Sequence, residues 1–134
     1  MSYRIATIAG DGIGPEVAGA TVRVLQALLG SDVLRFDWLD GGAGHYDKTG
    51  EVLPQSTLDA CRASHAILHG AAGLPGVTYD DGTEVGNDLH LKLRFGLDLY
   101  ANVRPIRLLP GVESPLRHHQ PGTIDYVIVR ENTE

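Results

Sequence analysis

The first segment able to do chemistry is Gly10-Asp-Gly-Ile-Gly-Pro-Glu16, where glycines separate a short apolar run from a stretch of helical spacing. A strand that feeds a glycine loop and then a helix can bind an anion, because unpaired N–H groups and the positive end of the helix dipole face the same point. The same loop serves equally as a plain structural turn, since tight strand-to-helix turns need glycine with or without a ligand. Two nucleotide signatures are excluded: GxGxxG requires glycine where Pro15 stands, and GxxxxGK[ST] is absent. Among the histidines, His45 and His90 are placed to face a pocket, His65 and His69 border an apolar run, and His118 and His119 share a turn-rich segment. None has metal-ligand spacing with a partner, and none is assigned a catalytic role. A lone Cys61 forms neither an internal disulfide nor a redox pair, which makes a reducing compartment the default.

The elements that must position such residues fit within one modest hydrophobic core, because 134 residues are too few for two complete domains. A net charge of -6 with no Lys/Arg run argues against a nucleic-acid partner. The acid at Asp11 comes too early for a signal peptide, and no window approaches a membrane span, so a cytoplasmic protein without targeting segment or membrane partner is expected.

Arg4 to Ala9 reads as a strand, and the segment after the glycine loop reads as a helix with Pro15 and Glu16 in its first turn. Val17, Val24, Leu25 and Leu28 fall on one face of it, and Gly30 stops it. Leu34, Phe36 and Trp38 alternate with Arg35 and Asp37 as in a half-buried strand, and a polar, glycine-rich loop follows. Pro54 with Leu58 and Cys61 fits a short helix, and Ala66 to Leu68 a buried strand that ends at Gly70 and Gly73. Such alternation predicts an α/β fold with a parallel sheet flanked by helices, whose ligands sit beyond the carboxyl ends of the strands. Asp88 to Arg94 alternates as a strand would, while Leu89, Leu93 and Leu97 fit a helix. Asp125 to Val129 reads as a strand, and Leu108 to Gly122 as loop.

Gly10-Asp-Gly-Ile-Gly-Pro-Glu16 resembles the opening signature of the decarboxylating 2-hydroxy-acid dehydrogenases, the isocitrate and isopropylmalate dehydrogenase family, which includes homoisocitrate and tartrate dehydrogenases. Further segments agree in order: Asp47-Lys-Thr-Gly50 with Leu53-Pro54 and Thr57-Leu58, then Gly70-Ala-Ala-Gly73 with Pro75. Leu93-Arg94, Asp98-Leu-Tyr-Ala-Asn-Val-Arg-Pro105 and Val129-Arg-Glu-Asn-Thr-Glu134 complete the series, which covers the chain.

The resemblance implies an isopropylmalate dehydrogenase-like, parallel or mixed sheet flanked by helices, forming the N-terminal part of a two-domain fold. Residues 1–99 would be part of the first, cofactor-side domain, and residues 100–134 the truncated start of the second, which carries substrate and dimer contacts. Three arginines, Arg94, Arg104 and Arg130, would converge on the carboxylates of a malate-like 2-hydroxy dicarboxylate; taken singly, each is otherwise a solvated charge or a structural ion pair. Ile13 and Gly73 would contact the cofactor, NAD or NADP. Magnesium or manganese is implied too, but its ligands, the proton-donating tyrosine, the catalytic lysine and the adenosine pocket are expected beyond Glu134. The 134-residue chain is therefore expected to be inactive alone and to work as part of a homodimer in the full-length form.

The implied reaction is NAD(P)-dependent oxidative decarboxylation of a 3-substituted malate, isopropylmalate-like as in leucine biosynthesis. Tartrate- or D-malate-type dehydrogenation, or dicarboxylate binding without catalysis, are the alternatives. Asp88 and His90 stand where isocitrate enzymes carry serine and asparagine, which disfavours isocitrate. His90-Leu91 half-matches the leucine pair of isopropylmalate enzymes, Asn87 replaces a frequent glutamate near the nicotinamide, and Asn132-Thr-Glu134 is commoner in the other branches. The acidic loop Thr78 to Glu84 reads as part of that pocket or as an exposed turn.

Overall fold

A computed structural model describes residues 2–132 and divides the chain into two compact units that meet at Leu97 and Asp98. The first opens with strand β1 (Tyr3–Ile8), the glycine loop and helix α1 (Gly14–Leu29). Pro15 lies in the first turn with Glu16, and Gly30 ends α1 at φ 86° with its N–H on the Gln26 carbonyl. Strand β2 (Leu34–Leu39) follows, then helices α2 (Ala43–Thr49) and α3 (Gln55–Arg62), strand β3 (Ala66–His69) and helix α4 (Val85–Gly96).

The three strands form a parallel sheet in the order β2-β1-β3, with Tyr3 opposite Leu34 and Ile8 opposite both Leu39 and His69. The chain steps from β1 to one neighbour through α1, then crosses back over β1 through α2 and α3. Two right-handed crossovers in opposite directions place their helices on opposite faces of the sheet. The burial pattern agrees: Ala6 and Ile8 point into a core with Ala43, Val52, Leu53, Cys61, Val85, Leu89 and Leu93, while Thr7, on the other face, is equally buried. Truncating a side chain such as Leu89 there costs about 2–5 kcal/mol.

Several expectations need correction. The face of α1 that bears Val17, Val24 and Leu28 is exposed, and its buried residues are Gly14, Ala18 and Val22. The small residues win the inner face because Gly14 runs against backbone: a Cβ there would collide with the carbonyl oxygen of Ala9. Trp38 is 53% exposed on β2, an edge strand, so the alternation there buries only its first half. The polar loop after β2 contains a helix, α2. The ambiguous Asp88 to Arg94 run is helical, with Val85, Gly86, Leu89 and Leu93 buried along one side.

The second unit is an antiparallel ribbon of β4 (Ala101–Arg107) and β5 (Asp125–Glu131), in which Ala101 faces Glu131 and Arg107 faces Asp125. The alternation does not single out β4, whose Pro105 lacks a ladder donor; a two-stranded ribbon tolerates it because each strand has a free edge. The segment between the strands forms turns and loop only. Thr133 and Glu134, the last residues of the Val129–Glu134 segment, lie outside the described residues.

Candidate functional site

Neighbouring parallel strands β1 and β3 end side by side, and their chains leave toward helices α1 and α4. Ligands of open α/β sheets bind at such a switch point. Here the loop after β1 and the turn after β3 are packed backbone on backbone. Gly10, at φ 71°, could carry no side chain, since a Cβ would strike the Ala71 carbonyl. Asp11, only 6% exposed, joins the pieces. Its N–H donates to the Ala71 carbonyl at 2.7 Å, and its own carbonyl accepts from Gly14 N–H at 2.8 Å. Its carboxylate accepts three backbone N–H groups: Ala43 on Oδ2 at 2.7 Å, Gly44 on Oδ1 at 2.8 Å and Gly73 on Oδ2 at 2.9 Å.

This arrangement gives Gly10 and Gly14 of the loop a packing role. The N–H groups of Asp11 and Gly14 are spent internally, Pro15 has none, and an acid of the loop itself lies in the interior. Gly10 and Gly14 therefore serve close packing between loops, and α2 owes its N-terminus to a carboxylate 32 residues upstream.

Helix α4 starts directly on the same turn: a Cβ at Gly86 would collide with the backbone of Gly73. Gly73 itself lies at φ 112° in an open cleft of about 270 Å³ with Ala72, Leu74, Pro75, Glu84 and Gly86. Ile13, at the N-cap of α1, is 67% exposed. The 74–84 loop is bridged by Thr78 and Glu84 and held to α4 by Tyr79, whose hydroxyl donates to Asp88 Oδ2 at 2.7 Å. Burial, followed by that carboxylate, pushes the Tyr79 phenol up to about 12.

Further along α4, the His90 ring meets His69 of β3 at 4.9 Å, tilted by 47°, with its Nδ1 3.3 Å from the Gly86 carbonyl. His69 Nε2 is buried without a partner among the described residues. Burial holds the His69 imidazole below its ordinary range, with the nearby His90 adding to the effect. Arg94 lies one turn beyond His90, half-buried, and makes no ion pair with a described residue.

In the second unit Arg130 is directly opposite Asn102, and Arg104 is two residues along from Asn102. Side chains two apart share a face of a strand, so Arg104 and Arg130 lie diagonally on one face of the ribbon. Arg104 Nε donates to Asn102 Oδ1 at 3.0 Å, which fixes one guanidinium beside the other. Arg4, Arg35, Arg62 and Arg107 form ion pairs with aspartates; Arg104 and Arg130 form none among the described residues. Two uncompensated guanidiniums on one face are suited to a ligand with more than one carboxylate.

Each sequence-derived residue thus has a definite place: Ile13, Gly73 and Arg94 in the first unit, Arg104 and Arg130 together in the second. Sequence reasoning assigned no role to Asp11 or to the His69–His90 pair. The signal for Asp11 was an acid enclosed by glycines that no other residue type could approach so closely; nothing in the spacing of His69 and His90 pairs them. Among the described residues no group of three His, Cys, Asp or Glu could hold a metal ion, and no helix is long and apolar enough to cross a membrane.

A family model described as isocitrate/isopropylmalate dehydrogenase matches residues 4–134. A probable tartrate dehydrogenase/decarboxylase of Agrobacterium vitis is 45% identical over 98% of this chain, and a 3-isopropylmalate dehydrogenase of Corynebacterium efficiens 49% identical over 98%. The chain spans 37% of the length of each. Among solved structures, a beta-decarboxylating dehydrogenase from Thermococcus kodakarensis superposes with TM-score 0.74 at 39% identity, covering 98% of this chain and 34% of its own. An isocitrate dehydrogenase from Methylococcus capsulatus does so with TM-score 0.78 at 34% identity, covering 98% and 35%.

Proposed function

The chain belongs to the isocitrate/isopropylmalate dehydrogenase family, and on that premise we propose that it supplies the dicarboxylate-binding arginines and part of the dinucleotide subsite of a decarboxylating dehydrogenase. The observation that carries the proposal is the shared face of Arg104 and Arg130, two guanidiniums without ion-pair partners among the described residues, with Arg104 steadied by Asn102. Their bidentate forks bind and orient the carboxylates of a 3-substituted malate; the family resemblance carries the same role to Arg94 of the first unit.

The residues present fit a dinucleotide. Gly73, at a positive φ, leaves open space where a side chain would stand, and Ile13 offers an exposed apolar contact. The nicotinamide, when bound, supplies the hydride acceptor for oxidation of the 2-hydroxyl, with NAD the first expectation and NADP the second. The described residues hold no group of three His, Cys, Asp or Glu that fits magnesium or manganese; the metal ligands and the groups that move protons are proposed to lie beyond Glu134. Once the 2-ketone has formed, the bond to the 3-carboxylate breaks, carbon dioxide leaves, and the electron pair passes into an enolate that is then protonated. Residues 1–99 and 100–134 are proposed as the cofactor-side and substrate-side portions, in a cytoplasmic homodimer.

An isopropylmalate-like substrate is the first reading, because Leu91, 42% exposed, lies one turn before Arg94 on α4 while the His90 ring is taken up by His69. A tartrate- or malate-type substrate is the second, favoured by the polar Asn87 and His90 at helical spacing from Arg94. The test is NADH or NADPH formation by the full-length protein with manganese and isopropylmalate, malate, tartrate, isocitrate or homoisocitrate. Turnover of isopropylmalate above the others supports the first reading, turnover of tartrate or malate the second, and a blank panel with intact dicarboxylate binding overturns both.

A further inference from the structure

We infer that Asp11 is a positioning residue for the dinucleotide subsite, fixing the Gly70–Gly73 turn and the Ile13 loop in their binding geometry before cofactor arrives. The inference rests on the reading of Ile13 and Gly73 as cofactor contacts. Beyond Gly70, whose N–H bonds Ile8, the turn's backbone hydrogen bonds among the described residues run to Asp11 alone: Asp11 N–H to the Ala71 carbonyl, and Gly73 N–H to Oδ2. The loop that bears Ile13 is closed by the Asp11 carbonyl and Gly14 N–H. The remaining carboxylate capacity is fixed to α2 through Ala43 and Gly44.

The site is shaped for this carboxylate. A Cβ at Gly42 would collide with both of its oxygens, so the first turn of α2 is glycine-lined where it approaches. Asp11 makes no ion pair with Lys or Arg among the described residues; three amides in a buried setting take the place of a cation. Such charge-assisted bonds are stronger than neutral ones, and removing them leaves buried N–H groups unsatisfied. A turn held in place beforehand spares the binding step its ordering cost, so the carboxylate acts on cofactor affinity through Gly73 and not by contact.

The experiment compares Asp11→Asn, Ile13→Ala and Val22→Ala in the full-length protein, measuring NADH affinity, thermal midpoint and hydrogen exchange at the Gly73 amide. Asp11→Asn, while still folded, is expected to weaken NADH binding about tenfold or more and to speed Gly73 exchange. Val22→Ala, which opens a cavity under α1 about two turns from its start, is expected to lower the midpoint and leave NADH affinity unchanged. A folded Asp11→Asn protein with unaltered NADH affinity overturns the inference, as does an equal loss in Val22→Ala. If Ile13→Ala also fails to weaken NADH binding, the subsite reading falls with it; if it weakens NADH binding while Asp11→Asn does not, only the role of Asp11 falls. Should Asp11→Asn not fold, the unaltered protein decides: slow Gly73 exchange before NADH is added supports the inference, and protection acquired only with NADH overturns it.

Discussion

The hydroxyl of Tyr79 donates a 2.7 Å hydrogen bond to Asp88, tying the 74–84 loop to the helix that carries Arg94. The same ring meets Tyr46 of α2 edge-on at 5.2 Å, so one side chain fastens the loop to two helices. Asp88 is in turn 3.5 Å from Lys92. Tyr79→Phe keeps the ring contact and removes only the hydroxyl. It is expected to cost about 1 kcal/mol, read as a lower midpoint in denaturant with an unchanged slope.

The phenol's elevated value also fixes an alkaline response. Because the folded protein holds this proton up to about 12, against an ordinary value of 10.0, the contribution is fully present below pH 10 and is lost as pH rises toward 12. Absorbance titration of the folded protein is expected to show one tyrosine ionising late, and that late component should be missing in Tyr79→Phe.

On the acid side the relevant group is His69, kept neutral by burial and by the adjacent His90, against the weaker opposing pull of Asp11 and the Gly70 backbone. The unfolded chain takes up a proton near 6.5 while the folded form resists it, so stability falls as pH drops below about 6.5 and levels off below the folded value. His69→Gln is expected to flatten that part of the stability profile measured by chemical denaturation. An unchanged slope would show that His69 does not carry it.

The α1 helix makes an inverted prediction, since Leu28 lies outside and Ala18 inside. Ala18→Leu is expected to destabilise this chain by about 1–3 kcal/mol through overpacking, and Leu28→Ala to change it by less than about 0.5 kcal/mol. Denaturant midpoints of the two variants check the order.

These predictions mark where the sequence was readable. The strands β1 and β3, α1 with Pro15 and Gly30, and α3 behind Pro54 follow local rules, and local rules found them. The inner face of α1 was misread because periodicity ranks residues by hydrophobicity, whereas close approach to the Ala9 and Ala71 carbonyls favours the smallest. Helix α2 was hidden because its cap is Asp11, distant in sequence, and its segment Ala43–Thr49 holds little that is apolar. Alternation in Asp88 to Arg94 does not decide, because Leu89 and Leu93 share a face in a strand and in a helix alike; the helix buries them with Val85 and Gly86 and turns Leu91 outward, where a strand would keep it beside them. For the site, the motif residues were visible, but the carboxylate that joins them is defined by contacts 32 and 62 residues away.

The proposed joint reading of the substrate's carboxylates by Arg104 and Arg130 rests on their shared face of the ribbon. Its most direct test is the kinetic effect of Arg130→Lys and Arg104→Lys in the full-length protein, with dicarboxylate and dinucleotide varied separately. Lysine keeps the charge but loses the bidentate fork, so KM for the dicarboxylate should rise on the order of tenfold to a hundredfold in each variant while KM for the dinucleotide holds. Equal effects on both KM values, or no effect on the dicarboxylate, would contradict it.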